Sequence, residues 1–270
     1  LTSAPPTDQF EAMASGELGS YHQRRFEGMI NLPIVDDRLD VRIAGEWTKR
    51  QGYSFNALTD NRIDGRDLWS GRISIAWKPA DDIQATLIWE HFSEDDDRMR
   101  TAKQLCKTDP GPTEVGGVSV PQTTGNIETG TSTFLSQGCL PASLYSADSF
   151  EVPNGFALPY YTAPALFGLA DNEKDPYAST TQSRNLRVIE SALNPQYKAK
   201  NDIFELNAQW NVSPALTVTS QTGFNHDFLW STEDYNRFAT SPHIFLPSQA
   251  QGQTIPVYQT LISPDGVFCD

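Results

Sequence analysis

The sequence predicts an all-β fold, an antiparallel up-and-down meander of about seven strands, and three observations predict it. An apolar–polar alternation with a two-residue period recurs along the chain. Pro, Asp and Ser signals separate several of the repeats. The connections between repeats alternate between short and long.

The first repeat, 10–18, sets Phe10, Ala12, Ala14, Gly16 and Leu18 against Glu11, Met13, Ser15 and Glu17. In 24–32, Phe26, Gly28, Ile30 and Leu32 oppose Glu27, Met29 and Asn31. The clearest is 39–50, where Leu39, Val41, Ile43 and Trp47 alternate with Asp40, Arg42, Glu46 and Thr48. Segment 70–78 sets Ile73, Ile75 and Trp77 against Arg72, Ser74 and Lys78, and 83–92 sets Ile83, Ala85, Leu87 and Trp89 against Gln84, Thr86 and Glu90, with Ile88 the exception. In 201–212, Phe204, Leu206, Ala208, Trp210 and Val212 oppose Glu205, Asn207, Gln209 and Asn211, and in 215–230 Leu216, Val218 and Phe224 oppose Thr217, Thr219 and Gln221.

Residues 33–38, 79–82 and 213–214 read as tight turns, while the opposite ends lead into long stretches after Lys49 and Phe92, the second a loop of about 94–200, and into an excursion after Phe224. Only 19–22 is short on that side. Brief turns at one edge and extended loops at the other are the pattern of a transmembrane outer-membrane β-barrel, with long extracellular loops. A polar face carrying Asp40, Arg42, Glu46, Glu90 and Glu205 would be its wetted lumen wall.

Composition narrows the classes. A chain of 270 residues with 38% hydrophobic and 11% aromatic residues is too apolar for disorder, and its net charge of −14 would repel a phosphate backbone, which argues against nucleic acid as a partner. No run of eighteen apolar residues occurs, and the first twenty residues have no basic start or apolar core, which predicts neither a membrane-spanning helix nor an uncleaved signal peptide. A barrel crosses the bilayer with alternating strands, so a mean hydropathy of −0.45 is compatible with it.

Residues Gly16 to Asn56 carry a resemblance to a known family. A Gly19-x-Tyr21 hairpin leads to Arg25-x-Glu27-Gly28, a turn with Pro33, Asp36, Asp37 and Leu39, a strand with Arg42, Ala44 and Gly45, then Arg50-x-Gly52-Tyr53 and Asn56. In this order they resemble the first barrel hairpins of TonB-dependent outer-membrane receptors, just after the plug domain. The similarity extends more weakly through Arg72 to Pro79, over about the first hundred residues.

The resemblance implies that residues 1–270 are part of a receptor barrel in the outer membrane of a Gram-negative bacterium. Its partners would be outer-membrane lipid, an extracellular small-molecule or glycan ligand, and TonB, reached through parts of the parent protein outside this sequence. The cargo would be a scarce nutrient such as a siderophore with its iron, haem, vitamin B12 or an oligosaccharide. At this chain's spacing of strands, the roughly 22 strands of a plugged transporter would need about three times its length, so the sequence is expected to be a piece of a barrel.

Candidate residues follow. Trp77 and Trp210, close before turns, are expected in the inner aromatic belt, and Trp47, Trp89 and Phe224 in the outer one, all facing outwards. The loop aromatics Trp69, Tyr160, Tyr161 and Trp230 are candidates for stacking on a ligand, with packing of the loops as the alternative. Cys106 and Cys139 are expected to form a disulfide; free thiols or a bond to Cys269 are the alternatives. The three cysteines lack zinc spacing, and the run Glu94–Asp97 lacks a calcium-loop order and reads as the solvated base of a loop. The four histidines have no nucleophile motif beside them, so no catalytic residue, cofactor or metal is assigned. The reading from a different class is a soluble, secreted β-sheet protein, a glycan-binding module or hydrolase.

Overall fold

A computed structural model describes residues 4–121, 135–155, 175, 177, 180–234 and 238–240. It is all-β, and no helix of more than a single turn occurs among these residues. The chain divides into two compact units, one of 1–53, 62–99 and 195–232, the other of 54–61, 100–194 and 233–270.

The first unit is a sheet of seven strands: β1 (Glu11–Gly19), β2 (Gln23–Val35), β3 (Leu39–Arg50), β4 (Arg66–Ala80), β5 (Ile83–Asp96), β6 (Gln196–Ser213) and β7 (Leu216–Thr232). They pair antiparallel in the order β1-β2-β3-β4-β5-β6-β7, the order of the sequence, and β1 does not pair with β7. The sheet is an open meander. Its alternation follows from the register, because a residue and its cross-strand partner share a face. Ala12 pairs with Ile30, Ile30 with Ile43, Ile43 with Ile73, Ile73 with Trp89, Trp89 with Phe204 and Phe204 with Phe224, one apolar row across all seven strands.

The neighbouring row on that face is Ala14, Gly28, Gly45, Gly71, His91, Asp202 and His226. Three adjacent strands thus place glycine side by side. A methyl group built on any of the three would meet nothing nearer than 3.5 Å.

The tight connections are 36–38, 81–82 and 214–215, as the Pro, Asp and Ser signals predict, although β2 and β4 run further into their turns than expected. At the other edge, Ser20 to Gln23 close β1 onto β2 through Gln23 N–H to Ser20 O at 3.2 Å. Tyr21 and His22 both have positive φ, 58° and 55°, the mirror-image turn that suits a twisted hairpin. Two side chains stand here in the left-handed region, and contacts hold them: Tyr21 meets the Tyr53 ring edge-on at 4.9 Å and accepts the Gln51 N–H at 2.9 Å.

The turns are staggered. Leu39 pairs with Trp77, Trp77 with Ala85, Ala85 with Ala208 and Ala208 with Ser220, so these residues define one level. The β2–β3 hairpin closes at that level, at Val35 and Leu39, whereas the β6–β7 hairpin closes further on, at Ser213 and Leu216. The offset is about 1.1 residues per strand, so with a rise of about 3.3 Å and a spacing of about 4.8 Å, strands whose turns lie level are inclined by about 38°.

The strands are longer than the sequence predicts at their loop ends. β4 begins at Arg66 rather than 70, β5 continues through Asp96 rather than ending at 92, and β6 begins at Gln196 rather than 201. The run Glu94–Asp97 is therefore mostly the end of a strand and not the base of a loop. Alternation fails there because charged residues occupy both faces.

Among the described residues of the second unit, Cys106, Tyr177 and Phe238 form a buried cluster, with Cys139 and Val152 against it. Its short strands pair Ser54–Asn56 in parallel with Val188–Ile189, and Lys107–Thr108 with Cys139–Leu140. Cys106 and Cys139 are joined at an S–S distance of 2.08 Å with Cα atoms 5.1 Å apart. Polar groups complete the interior: the fully buried Asn56 donates to Ser191 O at 2.8 Å and accepts the Ser191 N–H at 3.1 Å. The Asp234 carboxylate accepts from the Ser191 hydroxyl at 2.7 Å.

Candidate functional site: the polar face of the sheet

Burial in the seven strands runs opposite to that of a soluble sheet. The buried strand residues are all polar, namely Asn31, Arg50, Ser74 and Glu94, while Trp77 is 54% exposed, Trp210 48% and Phe224 63%. The polar side chains are the ones that find partners.

The partners form a ladder. The Arg25 guanidinium reaches Glu27 at 3.1 Å on its own strand and Glu46 on β3 at 3.0 Å. Ser15 on β1 donates to Glu27 at 2.8 Å, and Thr48 to Glu46 at 3.3 Å. On β4, Arg72 donates through Nε to Glu90 of β5 at 3.0 Å. On β6, Glu205 accepts from Asn207 at 2.7 Å and from Gln221 of β7 at 3.0 Å. Cross-strand placement explains the contacts of Glu46 with Arg25, Glu27 with Ser15, Glu90 with Arg72 and Glu205 with Gln221, since side chains opposite or diagonal on one face lie within reach, and the others join residues two apart on one strand, which share a face. Each such half-exposed ion pair contributes at most about 1 kcal/mol, so the ladder sets the character of the surface more than its stability.

Two open clefts lie on this face. One of about 250 Å³ is bounded by Met13, Glu27, Met29, Glu46, Arg72 and Glu90. A second of about 660 Å³, nearer the turns, is lined by Asp40, Lys78 and the neutral groups of Gln84, Thr86, Asn207 and Gln209, among others. The face is lined by paired charges and amides. No group of three His, Cys, Asp or Glu side chains suited to a metal occurs among the described residues.

The segment preceding β1 is fastened to the same face. The buried Asn31 side chain donates to Thr7 O at 2.8 Å and Gln9 O at 2.6 Å and accepts the Thr7 N–H at 3.1 Å. The sequence reading assigned Asn31 only a place on the polar side, and nothing in its local pattern signals a partner 24 residues away.

The five girdle candidates lie on the apolar face by register. Trp77 and Trp210 each stand three residues before the end of their strand at a turn, and Trp47 and Phe224 stand eight residues along theirs. The Trp210 indole donates to Asp82 at 3.0 Å and the Trp89 indole to Asp202 at 3.2 Å. Trp69 and Trp230 are corrected: both lie inside strands, Trp69 paired with Trp47 and Trp230 with Lys198, not in loops. Tyr160, Tyr161 and Cys269 lie outside the described residues.

One pair was missed. His91 Nδ1 lies 2.8 Å from the Asp202 carboxylate on the apolar face, with the Trp69 ring 4.7 Å from the imidazole. The signal available in the sequence was that both residues interrupt the alternation at apolar positions.

In the second unit, Lys107 lies 2.6 Å from Asp148, and hydrogen bonds from Lys107 and Ser146 hold the Asp148 carboxyl down at about 2. Burial lowers the Lys103 ammonium and raises the Glu190 carboxyl. Lys103 donates to Val188 O at 2.6 Å. A scan against models of known protein families matches none to this chain.

Proposed function

We propose that the sheet is the membrane-spanning wall of an outer-membrane barrel of the TonB-dependent receptor type, which takes up a scarce nutrient from outside the cell. The observation that carries this reading is the inverted burial of the seven strands: their buried residues are polar, and none of their aromatic or aliphatic side chains is buried. Water would not tolerate a continuous apolar face of this extent, whereas a bilayer requires it.

Two measures support it. The strand inclination of about 38° derived from the staggered turns falls in the range of about 35–45° for transmembrane barrels. On the apolar face, Phe204 to Val212 of β6 and Leu216 to Phe224 of β7 are free of charge. Nine residues at about 3.3 Å, inclined by about 38°, span about 23 Å, close to the apolar band of about 25 Å that such barrels present. The segment 4–10, held on the polar face by Asn31, brings the chain into β1 from the side that would be the lumen.

On this reading the ladder of Arg25, Glu46, Arg72 and Glu90 lines a water-filled interior, and the chemistry is binding and passage. The test is partition. The chain should associate with phosphatidylcholine vesicles or detergent micelles and resist urea extraction from the bilayer; a soluble, monomeric chain in buffer alone would refute the proposal.

A further inference from the structure

We infer that Met13 and Met29 form a binding site for a soft monovalent cation, Cu(I) or Ag(I), in the smaller cleft of the polar face. The site lies on that face alone, so it holds whichever medium meets the apolar one. The chain has three methionines, and the register sets two of them directly opposite each other, Met13 on β1 against Met29 on β2. Residues so opposed share a face, with Cβ atoms about 4.5–5.5 Å apart. Both line the cleft of about 250 Å³.

Methionine ordinarily fills gaps in an apolar core. These two have no core to fill. Between Glu11 and Glu17 on β1 and between Arg25 and Asn31 on β2, the other side chains that the two-residue period puts on this face are all polar: Glu11, Ser15, Glu17, Arg25, Glu27 and Asn31. Met13 is 49% exposed and Met29 half-buried, so an ion in water can reach both thioethers.

The charges around the pair suit a single positive ion. Glu27, Glu46 and Glu90 line the cleft, and the guanidinium groups that meet them are those of Arg25 and Arg72, which leaves one carboxylate in excess. Thioether sulfur is a soft donor that selects Cu(I), whereas Mg(II), Ca(II) and Mn(II) take carboxylate, carbonyl and water. For those harder ions no group of three His, Cys, Asp or Glu side chains is arranged among the described residues. Two sulfurs on flexible stems can close on one ion from opposite sides while the excess carboxylate balances its charge.

Methyl-labelled methionine gives separate NMR signals for Met13, Met29 and Met99, and Ag(I) is the probe because it needs no reductant. The full chain carries Cys269→Ser, which leaves no thiol outside the Cys106–Cys139 disulfide. Ag(I) should move the Met13 and Met29 signals together, saturating at one ion per chain, and leave Met99 in place. Met13→Leu, close to volume-conserving, should weaken the Met29 response by about tenfold or more. Met29→Leu should do the same to the Met13 signal, which keeps the test open if the first variant does not fold.

No shift at either methionine, an equal shift of Met99 at the same concentration, or a response at one methionine that survives replacement of the other overturns the inference. Loss of both shifts under about a hundredfold excess of Mg(II) would place the ion on the carboxylates and overturn it as well. The titration is run in detergent micelles or, should the chain stay in solution without them, in buffer. Failure of the membrane reading and failure of this site are therefore seen separately.

Discussion

The two units of this chain are held by opposite means. In the sheet, backbone register does the organising, the buried strand residues are polar, and none of the apolar side chains is buried. In the loop unit the described residues cluster Cys106 with Tyr177 and Phe238, and a disulfide together with buried side-chain amides and carboxylates fixes irregular backbone. The difference teaches where each unit gets its order: on the proposed reading the sheet relies on a surrounding apolar medium, while the loop unit carries a covalent tie that restricts its unfolded chain.

Cutting the tie should separate the two most strongly. A Cys106→Ser/Cys139→Ser variant loses a closure of 33 residues, expected to destabilise the loop unit by about 3–4 kcal/mol in the chain-entropy account. Limited proteolysis should cleave the loops within residues 100–194 much faster in the variant, while the β-sheet circular dichroism in detergent is retained. Loss of the sheet signal as well would mean that the units do not fold separately.

The medium is challenged by a charge in the apolar row. Phe204→Arg, between Trp89 and Phe224, should cost about 2–4 kcal/mol of stability in a bilayer. Glu205→Gln, one residue away on the polar face, should cost less than about 1 kcal/mol. Denaturant titration in vesicles measures both, and equal effects would contradict the assignment of faces.

Asn31→Leu sharpens the view of the sheet's polar side. It removes the partner of Thr7 and Gln9 and should raise hydrogen exchange in residues 4–10 several-fold, with a loss of about 1–3 kcal/mol. Unchanged exchange would show that the segment is held by something else.

The smallest effect is in the loops. Asp148 has a folded value of about 2, below its ordinary 3.8, so the stability it contributes is present above the ordinary value and is lost as pH falls through about 2. Asp148→Asn should remove a small acid-dependent part of the loop unit's unfolding between about pH 4 and 2, read by proteolytic susceptibility, and an unaltered pH profile would exclude the Lys107 contact from any role.

What could be read from the sequence follows the same division. Segments such as Leu39 to Lys49 were legible because one face of the sheet is apolar along their length. The loop ends of β4, β5 and β6 were not, since Asp67, Asp95, Lys198 and Lys200 put charges where the period calls for apolar residues. Trp69 and Trp230 were placed in loops for that reason. The parallel pairing of 54–56 with 188–189 joins segments more than a hundred residues apart, and no local pattern marks it. The disulfide could be anticipated from two cysteines in one long aperiodic stretch, whereas the Asn56 and Asp234 contacts could not, because amide and carboxylate partners in irregular backbone leave no periodic trace.

The three neighbouring glycines, Gly28, Gly45 and Gly71, lie side by side across β2, β3 and β4. Each would accept a methyl group without a clash, so packing within the sheet does not force their smallness. Strands flex most readily where no side chain stiffens the backbone, and glycine kinks at matching positions are how curved sheets bend. Aligned across β2, β3 and β4, they concentrate that compliance on one line instead of spreading it over the wall. The Trp69 ring, 3.7 Å from where a Gly71 Cβ would be, covers one end of that line, as aromatic side chains do for exposed glycine backbone. Alanine at all three positions should therefore stiffen the wall without displacing a single neighbour.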